Sequence, residues 1–199
     1  MTDFATIMRR VITGDDASGQ SLIIIDGPPS ALSGDPDVGG LFDIWHDAAS
    51  GLLDPQDHSD LGPTRNVLSP LSGNVKVRWF VIPPRASGVP AETLNAITRE
   101  RFASFDAEDH LTDQTRHPAM HKTDSIDVIC LLQGEVDLVL DTSVTRIRPG
   151  QIVIQRGTSH GWEAHGGPAL LLAVLIDGPL KSGAREPRPS GHAQRTNAL

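Results

Sequence analysis

The second half of the chain is a series of short apolar segments, each ended by a turn, and this pattern limits the fold more than any other feature. The predicted strands are Ser125–Leu132, Glu135–Leu140, Val144–Ile147, Gln151–Gln155, Ser159–Ala164 and Ala169–Ile176. Short strands separated by Gly-containing turns are typical of antiparallel sandwiches and barrels. The 19 Gly and 15 Pro among 199 residues also argue against a helical bundle. We therefore predict an all-β fold.

The first half of the chain has weaker signals and longer loops. It predicts strands over Ser21–Asp26, Leu41–His46 and Val75–Ile82. A helix is predicted over Ala91–Phe105, because apolar residues recur there at helical spacing directly after Pro90. We expect this helix to pack against one end of the barrel, with a lid over the barrel mouth as the alternative.

Three regions are expected along the chain. Residues 1–20 form an N-terminal arm, and residues 21–178 form the barrel domain, whose distinctive motifs fall within 117–165. Residues 179–199 are rich in Pro, Gly, Ser and Arg, so we expect a flexible tail there.

Composition limits the classes of partner and the cellular compartment. With 17 basic and 25 acidic residues the formal charge is −8, so we expect neither nucleic acid nor an anionic membrane as a partner. The single cysteine, Cys130, excludes an intramolecular disulfide and is expected to be a small core residue. No secretory signal is recognisable at the N-terminus, so we expect a cytoplasmic protein.

Two histidines and one acid form the most suggestive polar pattern. In an extended segment, His121, Thr123, Ser125 and Asp127 share one face. A buried acid on that face is costly unless it is paired or binds a metal. His160 follows a turn and shares its parity with Trp162, so it also points to one face.

If these groups converge, His121, Asp127 and His160 form a metal site with open positions. That ligand set suits Fe(II) and, with less selectivity, Mn, Ni, Zn or Co. The alternative is a polar pocket without metal, in which Asp127 accepts hydrogen bonds from Thr123, Ser125 or a neutral His160. His117 has the right parity to join the site, but Pro118 leaves its direction open.

Further residues are candidates for binding a substrate. Thr123, Gln155 and Trp162 are predicted to line the pocket. Arg78 either faces the barrel interior, where it would bind a substrate carboxylate through two hydrogen bonds, or lies on a solvent-facing side of its strand.

The stretch from His121 to His160 resembles a small single-domain cupin. Asp127 stands at the glutamate of the first cupin motif, six residues before Gly134, and Thr123 stands where a second histidine is usual. Gly150, Gly157 and His160 match the second motif. The resemblance implies a double-stranded β-helix, or jelly-roll, barrel. The sequence over most of residues 9–178 resembles those of a sub-family of small cupins whose activity is mostly unassigned.

Several functions follow from this resemblance. The first is a metal-dependent enzyme that acts on a small oxygenated organic acid or an aromatic ketone, as a decarboxylase, dehydratase, isomerase or dioxygenase. The alternatives are a small-molecule-binding cupin without catalysis, and a metal-free acid–base enzyme that uses Asp127 and His160. Small cupins often pair by exchanging edge strands, so we expect a homodimer, with Ser21–Asp26 as a strand suited to exchange.

Overall fold

The computed structural model describes residues 3–62 and 67–180, which form two facing β-sheets with one helix beside them. The strands are β1 (Arg10–Asp15), β2 (Ser21–Gly27), β3 (Ala31–Asp35), β4 (Gly39–Ala48), β5 (Asn74–Ile82), β6 (Ser125–Gln133), β7 (Val136–Leu140), β8 (Val144–Ile147), β9 (Ile152–Arg156), β10 (His160–Ala164) and β11 (Ala169–Asp177). The helix α1 spans Ala91–Ser104, and two 3-10 turns span Phe4–Thr6 and Glu108–His110.

The predicted all-β jelly roll of the cupin type is confirmed. The larger sheet has the strand order β3-β4-β5-β11-β6-β9, and the smaller has the order β10-β7-β8. The pairs within both sheets are antiparallel. Alternate residues point inward, so Phe80, Leu131, Leu138, Trp162 and Leu171 meet in one apolar core between the sheets.

The element predictions are accurate where the apolar pattern is dense and incomplete where it is sparse. All the strands predicted from Ser125 onward are present, within a residue or two at their ends. The predicted N-terminal arm contains β1, which pairs with β2 in a separate two-stranded sheet, and β3 was not predicted. Cys130 is only half-buried, on the outer side of β6, so its expected place in the core is wrong. From residue 181 the predicted flexible tail lies outside the described residues.

The glycines of the two cupin-like motifs have a conformational reason to be glycine. Gly134, Gly150 and Gly157 have φ values of 92°, 83° and 64°. Side chains rarely adopt this left-handed region, because Cβ then approaches the following carbonyl. At Gly134 a Cβ would also lie 2.8 Å from Cβ of Ala169, so the turn into β7 leaves no room for a side chain.

Helix α1 packs by its C-terminal end. Phe102, Phe105 and the following Ala107 form a small apolar cluster with Leu41 and Leu111. The helix thus packs against the barrel, as predicted. None of the helices in the described ranges is long and apolar enough to cross a membrane.

Strand β5 carries two cations into the barrel, which corrects the solvent-facing alternative for Arg78. Arg78 is 2% exposed and Lys76 is 0% exposed. Their counter-ion is Asp43 on β4: Arg78 Nη2 lies 2.8 Å and Lys76 Nζ 3.9 Å from its carboxylate. We treat the 2.8 Å contact as charge pairing, because the alignment does not meet hydrogen-bond geometry. Both cations also donate to the carbonyl of Val67, at 2.9 and 2.8 Å, and so hold the long loop after β4.

Replacing Asp43 by Asn should destabilise the fold strongly. The variant leaves two buried cations without a negative charge, and breaking such a pair costs roughly 3–5 kcal/mol. The free energy of unfolding, measured by urea titration at pH 7, tests this. Asp47→Asn on the same strand, where the carboxylate accepts from the Ala48 amide, is the matched control and should cost far less. A loss below about 1 kcal/mol for Asp43→Asn would contradict the assignment.

The outer side of the larger sheet is covered over only half its width. Phe4 and Met8 pack on Phe42 and Trp79 of β4 and β5. The other half, formed by β6, β9 and the end of β11, exposes aliphatic side chains to solvent: Ile126, Leu132, Ile152, Ile154 and Ile176. An exposed apolar patch of this kind is typical of a protein interface.

We expect the homodimer to form through this patch, because an uncharged aliphatic face is complementary to its own copy about a two-fold axis. Light scattering after size exclusion should give twice the 21.3 kDa chain mass. Ile154→Asp should give monomers. Leu32→Asp is the control, since Leu32 is 64% exposed on the opposite edge strand, and it should leave the dimer intact. A monomeric wild type, or a dimer that survives Ile154→Asp, contradicts this expectation.

Candidate functional site

A cavity of about 450 Å³ lies inside the barrel, and α1 forms part of its wall. Most of its surface is apolar, with Phe80, Ile129 and Trp162 among the lining residues. The polar and ionisable residues that line it are His117, His121, Thr123, Asp127, Gln155, His160, Glu163, Arg78, Arg85, Thr98 and Arg101. A concave, mostly apolar chamber with a few polar groups is the usual form of a small-molecule site.

His121 and His160 are brought together by their own backbones. The amide of each residue donates to the carbonyl of the other, and both bonds are 2.9 Å long. This reciprocal pair is an isolated antiparallel bridge, in which two directly opposed residues point their side chains to the same face. The two imidazole rings therefore lie side by side, with centroids 4.3 Å apart.

Hydrogen bonds fix the same tautomer in both rings. Nδ1 of His121 donates to the Ala119 carbonyl at 2.8 Å, and Nδ1 of His160 donates to the Thr158 carbonyl at 2.9 Å. A carbonyl can only accept, so each neutral ring has its proton on Nδ1 and a free lone pair on Nε2. Burial lowers the pKa of His121 to about 4 and the pKa of His160 well below its usual value, the latter also because of His121. His121 is nevertheless partly accessible, because its ring faces the cavity.

His117, whose direction the sequence left open, also lines the cavity. Its Nδ1 accepts the Ala119 amide at 3.2 Å, so the neutral ring carries its proton on Nε2, opposite to the other two rings. Burial is the main cause that lowers its pKa to about 4. The ring lies over Gly161, where a Cβ would come within 2.8 Å of Nδ1.

Asp127 forms a closed set of contacts with two hydroxyl groups. Its carboxyl oxygens lie 2.6 Å from Ser125 Oγ and 3.3 Å from Thr123 Oγ1, and the two hydroxyls are 2.7 Å apart. Two hydroxyl protons cannot satisfy three contacts, whereas a protonated Asp127 supplies the third proton. Burial raises the pKa of Asp127 and outweighs the hydrogen bonds from Ser125 and Thr123, which lower it. This arrangement is the hydrogen-bonded alternative for Asp127 that the sequence offered.

The structure does not assemble the predicted metal ligands into one set. Within residues 3–62 and 67–180, no three His, Cys, Asp or Glu side chains come close enough together to hold a metal ion. The free Nε2 atoms of His121 and His160 are suitable donors, but Asp127 is held by Thr123 and Ser125 instead. The residues present therefore do not fit the predicted three-ligand site.

The predicted substrate-binding residues all line the cavity. Trp162 makes edge contacts with Phe80 and His160, at centroid distances of 6.5 and 6.3 Å. Gln155 is the register partner of Asp127 and is 3% exposed. Its amide nitrogen has no acceptor in the described part of the chain. A ligand oxygen that reached this nitrogen would satisfy a buried donor.

Sequence reasoning missed the contribution of α1 to the site. Phe102 lies against His121, with ring centroids 5.1 Å apart, and Arg101 lines the cavity beside it. One signal was present in the sequence: Arg101 interrupts the apolar stripe of the predicted helix, seven residues after Leu94. A charged residue in that position lies on the apolar face of the helix and therefore points towards the surface on which that face packs.

The chain is similar in sequence to two fungal proteins named for one biosynthesis cluster. Phomopsin biosynthesis cluster protein D of Diaporthe leptostromiformis is 52% identical over 157 residues, which cover 77% of this chain and 68% of that protein. Phomopsin biosynthesis cluster protein C' of the same organism is 29% identical over the same length and shares. No family model matches the chain.

Solved structures with a similar fold include proteins described as cupins. The cupin domain of Schizosaccharomyces pombe Cnp3 is 9% identical, covers 85% of this chain and 87% of its own, and gives a TM-score of 0.41. A cupin superfamily protein of Desulfitobacterium hafniense is 12% identical, covers 52% of this chain and 67% of its own, and gives a TM-score of 0.33.

Stability should fall as the pH is lowered from 6.5 towards 4. The folded pKa of His117 and of His121 is about 4 against an unfolded value near 6.5, so the unfolded chain binds more protons in this window. Each such histidine contributes a slope of up to about 1.4 kcal/mol per pH unit. The raised pKa of Asp127 has the opposite effect, because its contribution to the free energy of unfolding is present at low pH and is lost as the pH rises. This single group is outweighed by the three histidines His117, His121 and His160.

Urea unfolding between pH 4.5 and 7 measures this slope. His117→Gln keeps an acceptor for the Ala119 amide. It should lower the slope of the free energy of unfolding against pH by the contribution of one histidine, up to about 1.4 kcal/mol per pH unit. His58→Gln, at an exposed loop position, is the control and should leave the slope unchanged. An unchanged slope in His117→Gln would show that this ring is not held neutral.

Proposed function

The chain belongs to the same family as phomopsin biosynthesis cluster protein D, and from this premise we propose that it is a biosynthetic enzyme with a cupin-type barrel. It binds a small, mainly apolar molecule inside the barrel and transfers protons on it. The reaction class is isomerisation, dehydration or a related elimination. The two relatives are named for a biosynthesis cluster, which supports a biosynthetic role.

The paired imidazoles of His121 and His160 carry this proposal. Both expose no proton at Nε2, so each has a lone pair available as a general base on the cavity side of the ring. Their low pKa makes them weak bases in the empty cavity. When a proton leaves carbon next to a carbonyl, negative charge forms on the substrate, and this charge beside the ring stabilises the imidazolium. The pKa of the imidazole pair therefore rises as the reaction proceeds, and the pair becomes a stronger base.

Asp127 supports the acid half of the same reaction. Its neutral form holds a proton in the network with Ser125 and Thr123. The base takes a proton from carbon, and the acid supplies one to oxygen or to a second carbon. The number of protons on the enzyme is therefore unchanged over a turnover. Opposite pKa displacements in ionisable groups that line one cavity are typical of such acid–base sites.

Two other functions remain as rivals of this proposal. In the first, substrate or water completes a divalent metal site (Fe, Mn, Ni or Zn) on the two histidines, and the metal is required for activity. In the second, the cavity binds a small molecule without turnover. The hydrogen bonds that hold Asp127 away from the two histidines favour the metal-free function.

Deuterium exchange into phenylacetone, followed by NMR in D₂O, separates these functions. This neutral aromatic ketone has an acidic benzylic carbon and is small enough for the cavity. We expect exchange above the buffer rate that survives prior dialysis against chelator. His121→Ala and His160→Ala should each lower it at least tenfold and still fold, because their backbone pair needs no side chain. His58→Ala should not change it.

Each other outcome has a definite meaning. Exchange that is lost on chelation and restored by one divalent metal would establish the metal-dependent rival. Binding of phenylacetone, seen as a change in tryptophan fluorescence, without any exchange would indicate a binding protein. Exchange that persists in both histidine variants would rule out the imidazole pair as the base.

A further inference from the structure

Helix α1 presents one charged residue to the cavity. Its cavity-facing residues recur at helical spacing and are Leu94, Ile97, Thr98, Arg101, Phe102 and Phe105. Arg101 is therefore the only ionised side chain on this face of the helix. Its guanidinium reaches across to the start of β4, where Nη2 lies 3.2 Å from the position that a Cβ on Gly39 would take. Glycine at position 39 leaves the room that the guanidinium occupies.

Arg101 has no counter-ion in the described part of the chain, unlike the neighbouring arginines. Arg78 is paired with Asp43, Arg99 lies 3.6 Å from Glu108, and Arg85 lies 4.0 Å from Glu163. The Arg101 guanidinium makes no hydrogen bond to another described residue, and burial lowers its pKa. A half-buried guanidinium without an acceptor is unfavourable, and a carboxylate that binds it through two hydrogen bonds relieves the cost.

The position of Arg101 within the cavity specifies the form of the ligand. Asp127 is in register with Leu175, which is in register with Lys76 of β5. Arg101 lies near Gly39 and Pro83, beyond Val81 at the other end of β5. Val81 is five residue steps along β5 from Lys76, about 16.5 Å at roughly 3.3 Å per residue, so Arg101 and Asp127 lie towards opposite ends of the strand. Between these ends the lining residues of β5 are Phe80 and Arg78, whose charge is paired with Asp43.

We propose that the cavity binds an elongated carboxylate, whose anionic end is held by Arg101 and whose apolar body extends through the cavity that the imidazole pair lines, towards Asp127. This inference rests on the proposed function, since it names the class of molecule that the same cavity takes. Arg101 acts as a specificity-determining residue: it selects an anionic end and fixes which end of the molecule points towards Asp127.

Calorimetric titration with decanoate and with decan-1-ol tests the proposal, because the two probes share an alkyl chain and differ in charge. Wild-type protein should bind decanoate at least tenfold more tightly than the alcohol. Arg101→Gln should remove this preference by weakening decanoate alone, and Arg101→Lys should keep part of it. Arg99→Gln, on the solvent side of the same helix, is the control and should keep the full preference.

The outcomes distinguish this inference from the proposed function. If both probes bind the wild type equally, or if Arg101→Gln keeps the preference, the role of Arg101 is overturned while the apolar cavity remains a binding site. If neither probe binds, the cavity does not accept apolar molecules, and the proposed function fails as well. Should Arg101→Gln not fold, as judged by circular dichroism, Arg101→Lys decides: a reduced but remaining preference for decanoate supports the proposal, and either an undiminished preference or no preference contradicts it.

Discussion

The reciprocal backbone pair between His121 and His160 is the contact on which the site depends. Two peptide groups far apart in the chain each donate to the other, and this fixes both the approach of the segment before β6 to the start of β10 and the direction of two side chains. Because the constraint lies in the backbone, the imidazoles are held in place without relying on each other. Further hydrogen bonds at Nδ1 then determine which nitrogen of each ring is free.

Burial inside the barrel has the same effect on every weakly ionising group of the site. It lowers the pKa of His117, His121 and His160 and raises the pKa of Asp127, so the neutral form is favoured in all four. The buried cations Lys76 and Arg78 differ from these groups, because each is paired with the carboxylate of Asp43. The barrel therefore separates a neutral acid–base region from a buried ionic cluster that holds the long loop after β4. Both arise from one physical cause, which is the high cost of an unpaired charge away from water.

The helix links fold and specificity. Its C-terminal aromatic residues anchor it in a core cluster, and Phe102 touches His121 at the same time. Arg101, next to this anchor, is placed at the cavity by the packing of its neighbour. Helix α1 thus packs against the barrel, as expected, and also supplies part of the cavity wall.

The sequence by itself determined the barrel strands from Ser125 onward, because alternation of apolar residues and Gly-containing turns is a local property of the chain. It also identified Thr123, Asp127, Gln155, His160 and Trp162 as residues of one pocket, since parity along a strand decides which side chains share a face. Parity cannot give distances between strands or hydrogen-bond partners. Only the tertiary structure decided that Asp127 pairs with two hydroxyls rather than joining the histidines, and that Arg101 enters the cavity, because both depend on contacts between segments whose separation the sequence does not encode locally.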